Sequence, residues 1–266
     1  MTLEIDHITK RFAQTVALDD LAFEVPRGRI FGFLGANGAG KTTTMRICLG
    51  ILEADAGAVR WDGRPTAELS RRTWGYLPEE RGLYPRMTVL DQLVYFAALY
   101  GVPTDVARTH AVAWLARFRI PDYADRRAGE LSKGNQQKVQ FIAAVLHEPD
   151  VLLMDEPFTG LDPVNLALLR EALVELRDAG RTIIFSTHQM EAAEALCEAV
   201  AIVDHGRLVA SGTLGDLKRA SRARTVRLGV EGETLPAWLT GLPGVALARP
   251  GAGYAELALL AGTEPT

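Results

Sequence analysis

Gly35, Gly38, Gly40, Lys41 and Thr42 fall in the run Phe31-Gly-Phe-Leu-Gly-Ala-Asn-Gly-Ala-Gly-Lys-Thr-Thr43, with the types and spacing that cradle a phosphate chain. The glycines let backbone N–H groups turn inward without a Cβ penalty. A helix starting near Lys41 adds the positive end of its dipole. Lys41 would reach the β- and γ-phosphates, and the Thr42 hydroxyl would ligate a Mg²⁺ ion bridging them. Ala36, Asn37, Ala39 and Thr43 fill out the stretch that would touch the nucleotide.

Two carboxylates supply complementary chemistry. The apolar run Val151-Leu-Leu-Met ends in Asp155 and Glu156, and a strand end beside a phosphate loop is where Mg²⁺ must be held. Asp155 would enter the metal shell. Glu156 projects differently, so it would polarise the attacking water as a general base.

These residues require a scaffold that brings several strand ends together. Short β-rich runs between Thr2 and Val59 include Leu21–Val25 and Ile30–Leu34, and a helical pattern follows over Thr42–Leu52. Val89–Tyr100 and Asp105–Phe118 are long amphipathic segments parted by Gly101-Val-Pro103, and Asp62-Gly63 is a turn. Three further apolar runs, Val151–Asp155, Thr182–Ser186 and Ala199–Val203, have helical patterns between them, as a parallel sheet requires. A hairpin turn at His205-Gly206 closes this core.

Leu131-Ser-Lys-Gly-Asn-Gln-Gln137 precedes a helix with apolar residues at Val139, Ile142, Val145 and Leu146, and Ser132 has the character of its N-cap. Taken alone this is an ordinary helix start. The segment is similar to the signature of ATP-binding cassette (ABC) ATPases, and it stands directly upstream of the Asp155-Glu156 strand as that family requires. The resemblance spans residues 1 to about 216. It implies an α/β, RecA-like P-loop NTPase core with an antiparallel β subdomain and an inserted α-helical subdomain at about residues 84–146. It further implies that Phe12 stacks on adenine with Val16 nearby, although pattern alone reads Phe12 equally well as a core residue. Phe158-Thr-Gly-Leu-Asp162 resembles the family's D-loop, in which Asp162 contacts a second subunit. His188 resembles the switch histidine that hydrogen-bonds the γ-phosphate. Ser132, Gly134 and Asn135 occupy the signature positions that face a partner's nucleotide.

Two positions depart from the family pattern. Gly75-Tyr-Leu-Pro-Glu79 ends in Glu where Gln is usual, which would give the metal site a stronger ligand but repel the γ-phosphate. Lys133 replaces a usual glycine and adds a cation near that phosphate, while Asn135 replaces glutamine. Residues 79–84 and the LSKGNQQK segment look like the subgroup that energises exporters of sodium ions, drugs or related cargo.

The 266 residues suffice for one main core and a small appendage, expected as an α+β module over 217–266. Within it, strands are expected at Thr225–Val230 and Tyr254–Leu259, with a short helix at Pro236–Thr240. The basic residues Lys218, Arg219, Arg222, Arg224 and Arg227 read as a solvated linker. A net charge of −4 gives no footprint for nucleic acid, and no nucleic-acid partner is expected. Cys48 and Cys197 lack metal-ligand spacing and read as buried thiols of the cytosol. No apolar run is long enough to cross a bilayer. The resemblance therefore implies an ATPase that uses ATP and Mg²⁺, acts as a homodimer or heterodimer, and attaches peripherally to separately encoded membrane permease subunits. A soluble ABC ATPase working on ribosomes or DNA is the rival reading.

Overall fold

The computed structural model describes residues 2–80, 82–220, 225–229, 243, 245–251 and 254–259. β1 (Thr2–Phe12) folds back on β2 (Thr15–Pro26), and β3 (Ile30–Leu34) runs through the glycine loop into α1 (Lys41–Cys48). β4 (Ala56–Trp61) and β5 (Arg64–Pro65) then form a hairpin whose turn residues, Asp62 and Gly63, both have the positive φ that such two-residue turns demand. β6 (Trp74–Leu77) leads into the helical segment of α2 (Val89–Leu99), α3 (Thr104–Arg117) and α4 (Lys133–Val145). The chain then alternates β7 (Val151–Asp155), α5 (Pro163–Asp178), β8 (Thr182–Thr187), α6 (Met190–Leu196) and β9 (Ala199–Asp204), and turns back as β10 (Arg207–Thr213).

A six-stranded sheet in the order β10-β9-β3-β8-β7-β6 forms the centre, parallel except for β10. All residues of β3, β7 and β8 are buried. This explains why the apolar residues of those strands are consecutive rather than alternating. A four-stranded antiparallel sheet, β2-β1-β4-β5, packs against it. Phe23 of β2 stacks over Phe31 at 5.8 Å and lies 5.2 Å from Phe33, so the aromatic face of β3 is the seam. Met45 and Cys48 bring α1 into the same core. α1 ends earlier than the pattern over Thr42–Leu52 predicts, because Gly50 takes a left-handed conformation and the N–H groups of Ile51 and Leu52 turn back to the Arg46 carbonyl.

The helical segment has its own aromatic core of Trp114, Phe118 and Phe141. α4 reaches β6 at Gly75, where a Cβ would stand 2.3 Å from the Ala144 carbonyl oxygen, so only glycine admits this helix. Cys48 and Cys197 are free and buried, and burial pushes both thiols up to about 12.

Contacts divide the chain into two compact units, at Leu214 and Gly215. α7 (Leu214–Ala220) begins at that division, and the second unit contains a three-stranded antiparallel sheet in the order β11-β13-β12. Its strands are β11 (Thr225–Gly229), β12 (Val245–Gly251) and β13 (Tyr254–Leu259). The basic run is therefore not a plain linker. Lys218 and Arg219 lie on α7, where Arg219 pairs with Asp216, and Arg227 on β11 stands opposite Glu256. Arg222, Arg224 and the helix expected at Pro236–Thr240 lie outside the described residues. β12 escaped the sequence reading because Pro250 near its end is atypical of a strand interior.

Candidate active site

The sheet register sets the site. Leu34 of β3 pairs with Thr187 of β8, and Asp155 of β7 pairs with Ser186, so three strands end together along one edge. The residues just beyond those ends, the Gly35 loop, Glu156 and His188, must share that edge. Leu77 of β6 pairs with Met154, which brings Glu79 to the same side. Open α/β sheets bind ligands in this position.

A cleft of about 390 Å³ opens there, and its walls include Val16, Asn37, Gly38, Gly40, Thr43 and Glu79. Lys41, Thr42, Asp155 and Glu156 line it too. Gly40 is the N-cap of α1 with φ 102° and no side-chain cap, so the first N–H groups of the helix are left for an anion. Lys41 is buried, and its Nζ donates to the carbonyls of Gly35 (2.8 Å) and Ala36 (3.1 Å) and lies 3.5 Å from Glu156 Oε1. Lys41 thus spans the loop across its mouth. Thr42 Oγ1 donates to Asp155 Oδ2 at 2.6 Å. Glu156 Oε1 also meets His188 Nδ1 at 3.0 Å. Glu156 is only 7% exposed and has φ 48°, a left-handed conformation costing roughly 1–3 kcal/mol in a non-glycine residue.

Gly35 and Ala36 line a second recess with Asn37 and His188, while Ala39 is buried. Phe12 is 46% exposed and lies outside the cleft wall, at the tip of the β1–β2 hairpin with Lys10 Nζ 5.7 Å above its ring. It is not the core residue that its pattern equally allowed. Val16, paired with Arg11 one step along, does line the cleft.

The signature residues are elsewhere. Ser132 caps α4 by accepting from Asn135 N at 3.4 Å, and Asp162 caps α5 by accepting from Asn165 N and Nδ2 at 2.9 and 2.7 Å. A Cβ on Gly134 would stand 3.3 Å from Asn165 Nδ2, so signature and D-loop adjoin through Asn165. Lys138 on α4 donates to the Phe118 carbonyl, and burial pulls its ammonium below the usual lysine range against the opposing charge of Asp162. None of Ser132, Gly134, Asn135 and Asp162 lines the cleft.

Several participants had no separable sequence signal. Ser186 Oγ donates to Asp155 Oδ1 and accepts from Glu156 N. Gly206 N donates to the Ala39 carbonyl and its own carbonyl accepts from Asp19 N, so the β9–β10 turn braces the phosphate loop from below. Tyr76 on β6 has its hydroxyl raised chiefly by burial and then by the Asp155 charge, with Arg46 opposing and Glu79 adding a little. Gln137 donates to the Pro157 carbonyl, and Gln140 to those of Pro78 and Glu80, tying α4 to the loops after both β7 and β6.

The comparison with known proteins decides what this cleft belongs to. Residues 18–159 match the family described as ABC transporter. The chain belongs to the ABC transporter ATP-binding family. An ABC transporter ATP-binding protein of Bacillus subtilis, YhaQ, is 50% identical over 226 residues, covering 85% of this chain and 76% of that one. The Nod factor export ATP-binding protein I of Paraburkholderia xenovorans is 39% identical over 213 residues, covering 79% and 70%. The solved structure of an ATP-binding subunit of an ABC transporter superposes with a TM-score of 0.77 at 33% identity, covering 83% of this chain and 93% of that one. The fold is thus the P-loop cassette of this family, and the chain is an ATP-binding ATPase subunit of an ABC transporter. No helix among the described residues is long and apolar enough to cross a membrane.

Proposed function

We propose that the chain hydrolyses ATP in a site shared between two ATPase subunits and thereby drives export by separately encoded permease subunits from the cytosolic face of the membrane. One observation carries this reading: Lys41, Thr42, Asp155, Glu156 and His188 converge at one sheet edge, while Ser132, Gly134 and Asp162 cluster apart from them. One chain holds both halves of a site without joining them, so a second copy, or a related chain, would close over the first.

ATP would lie on the loop with Phe12 and Val16 toward its base and Lys41 released to its phosphates. Thr42 Oγ1, Asp155 Oδ2 and the Glu79 carboxylate are hard oxygen donors on one wall, the chemistry Mg²⁺ takes, and they would hold it. Bound there with ATP, Mg²⁺ would supply neutralising charge for the phosphates. The Glu156 carboxylate would take a proton from the water attacking the γ-phosphorus. As the bond to the bridging oxygen breaks, His188 would hold the γ-phosphate. Asp162, Ser132, Gly134 and Asn135 would meet the other subunit's nucleotide. Closure on ATP and reopening after hydrolysis would be passed on through α4, whose Gln137 and Gln140 hold the loops at both carboxylates.

A groove of about 190 Å³ beside the Glu79 loop, lined by Tyr76, Leu83, Phe96 and Tyr100, supports a permease contact on this side. Tyr84 and Tyr95 stand exposed nearby. Export is supported by the likeness to the Nod factor export protein. Affinity purification from membranes is expected to recover a protein with several apolar spans. Recovery of ribosomes or nucleic acid instead, with ATPase activity stimulated by them, would contradict the reading.

Glu79 gives a second test. Its carboxylate adds a third negative side chain to a cleft already lined by Asp155 and Glu156, with Lys41 the cation beside them. Glu79→Gln is expected to raise the Mg²⁺ concentration for half-maximal hydrolysis by about 3- to 10-fold, because an amide is the weaker ligand, and to tighten metal-free ATP binding through relief of repulsion at the γ-phosphate. A Mg²⁺ titration of activity measures this, and a decreased requirement would show that Glu79 acts chiefly by repelling the phosphate and not as a ligand.

A further inference from the structure

We propose that Ser186 is a positioning residue whose single hydroxyl sets both carboxylates of the hydrolytic centre, an inference that rests on the roles proposed for Asp155 and Glu156. Ser186 is fully buried in β8, directly opposite Asp155 in the parallel β7–β8 ladder. Its Oγ–H donates to Asp155 Oδ1, and its oxygen accepts from the backbone N–H of Glu156 at 3.0 Å. The hydroxyl's one proton is thus spent on one catalytic-strand residue and an oxygen lone pair on the next.

Each bond has a separate consequence. Tying Oδ1 leaves Asp155 Oδ2 as the oxygen that meets Thr42 Oγ1 at 2.6 Å on the cleft wall, so the carboxylate cannot rotate freely. Glu156 lies just past the last ladder pair, where no strand neighbour takes its N–H, and its backbone leaves the extended region with φ 48°. The Ser186 oxygen satisfies that N–H and holds the turn. The turn in turn aims the Glu156 side chain at His188 and Lys41. Alanine at this position would leave a buried carboxylate oxygen and a buried N–H without their partner. Ser186 does not line the cleft, so its effect must pass through the two acids.

The experiment compares Ser186→Ala, Ser186→Thr and Ser186→Cys with wild type and with Asp155→Asn and Glu156→Gln, in the full chain. A fluorescent ATP analogue is titrated first without metal and then with magnesium chloride, and turnover and melting temperature are measured in parallel. For Ser186→Ala we expect metal-free affinity within about 2-fold of wild type, the Mg²⁺-dependent tightening reduced about 5-fold or more, and kcat lowered about 10- to 100-fold. Ser186→Thr, which keeps the hydroxyl, restores both readouts, and Ser186→Cys, a weaker donor and acceptor, falls between. A purely packing role would lower the melting temperature without a selective loss of the Mg²⁺ response. If Ser186→Ala does not fold, Ser186→Cys decides by the same two readouts. A folded Ser186 variant lacking the hydroxyl that keeps wild-type kcat and Mg²⁺ response, while Asp155→Asn and Glu156→Gln are inactive, overturns this proposal alone. If Asp155→Asn and Glu156→Gln turn over normally, the reading beneath it falls as well.

Discussion

Glu156→Gln is expected to bind ATP as tightly as wild type or tighter and to lose turnover by about 10²- to 10⁴-fold, the range for deleting a general base. The substitution keeps the side chain's size. An amide oxygen still accepts from His188, 3.0 Å away, and from Lys41, 3.5 Å away, so the packing at a 7%-exposed position is preserved. What it removes is the capacity to take a proton from water. It also removes a negative charge from beside the incoming γ-phosphate, which favours binding. ATP-closed pairs should therefore accumulate and elute early in size exclusion. Hydrolysis near the wild-type rate would refute the assignment of Glu156 as base.

Gly40→Ala is expected to weaken ATP binding about 100-fold and to destabilise the fold by about 3 kcal/mol, from two additive causes. The first is the backbone: Gly40 has φ 102°, which an L side chain rarely adopts. The second is space. A Cβ there would stand 2.6 Å from Leu18 Cδ2 and 2.7 Å from the Ala17 carbonyl oxygen. Leu18 can rotate, but the Ala17 carbonyl is backbone held between Val16 and Leu18, which pair with Arg11 and Lys10 of β1, so it can retreat little. The loop must move instead, carrying the α1 N–H groups and Lys41 out of place. Gly38→Ala separates the two causes, because Gly38 has φ 81° but nothing within 4 Å of its Cβ position. Thermal melts should show a smaller loss for Gly38→Ala than for Gly40→Ala. Equal losses would mean that strain alone, and not the contact with β2, fixes the loop.

The phosphate loop and the two carboxylates at the end of β7 were legible because their signals are local. Gly35 to Thr42 encode a turn and a helix start within a few residues, and the runs ending in Leu34, Asp155 and Thr187 carry consecutive apolar residues because both faces of their strands are covered. Ser186 was illegible as a participant, since its role depends on the β7–β8 register, which no residue near it announces. The same holds for Gly206, whose hairpin turn was expected but whose brace against Ala39 joins distant segments. Phe12 illustrates an ambiguity that pattern could not lift, because an aromatic at a hairpin tip alternates like a core residue yet stands exposed. In the second unit, the charged run at Lys218 and Arg219 hid a helix, since an exposed seven-residue helix carries no apolar stripe to reveal it.

In the proposed shared site, Lys41 of one subunit and Ser132 of another act on a single nucleotide. Lys41→Ala removes the phosphate-binding amine, and Ser132→Arg places a bulky cation at the signature, so each variant alone should be inactive. Mixing equal amounts should restore about a quarter of wild-type activity, because half of randomly formed pairs contain one site with both residues intact. Hydrolysis by the mixture at that level is the predicted result. A mixture as inactive as its components, when both variants fold and pair, would contradict a shared site.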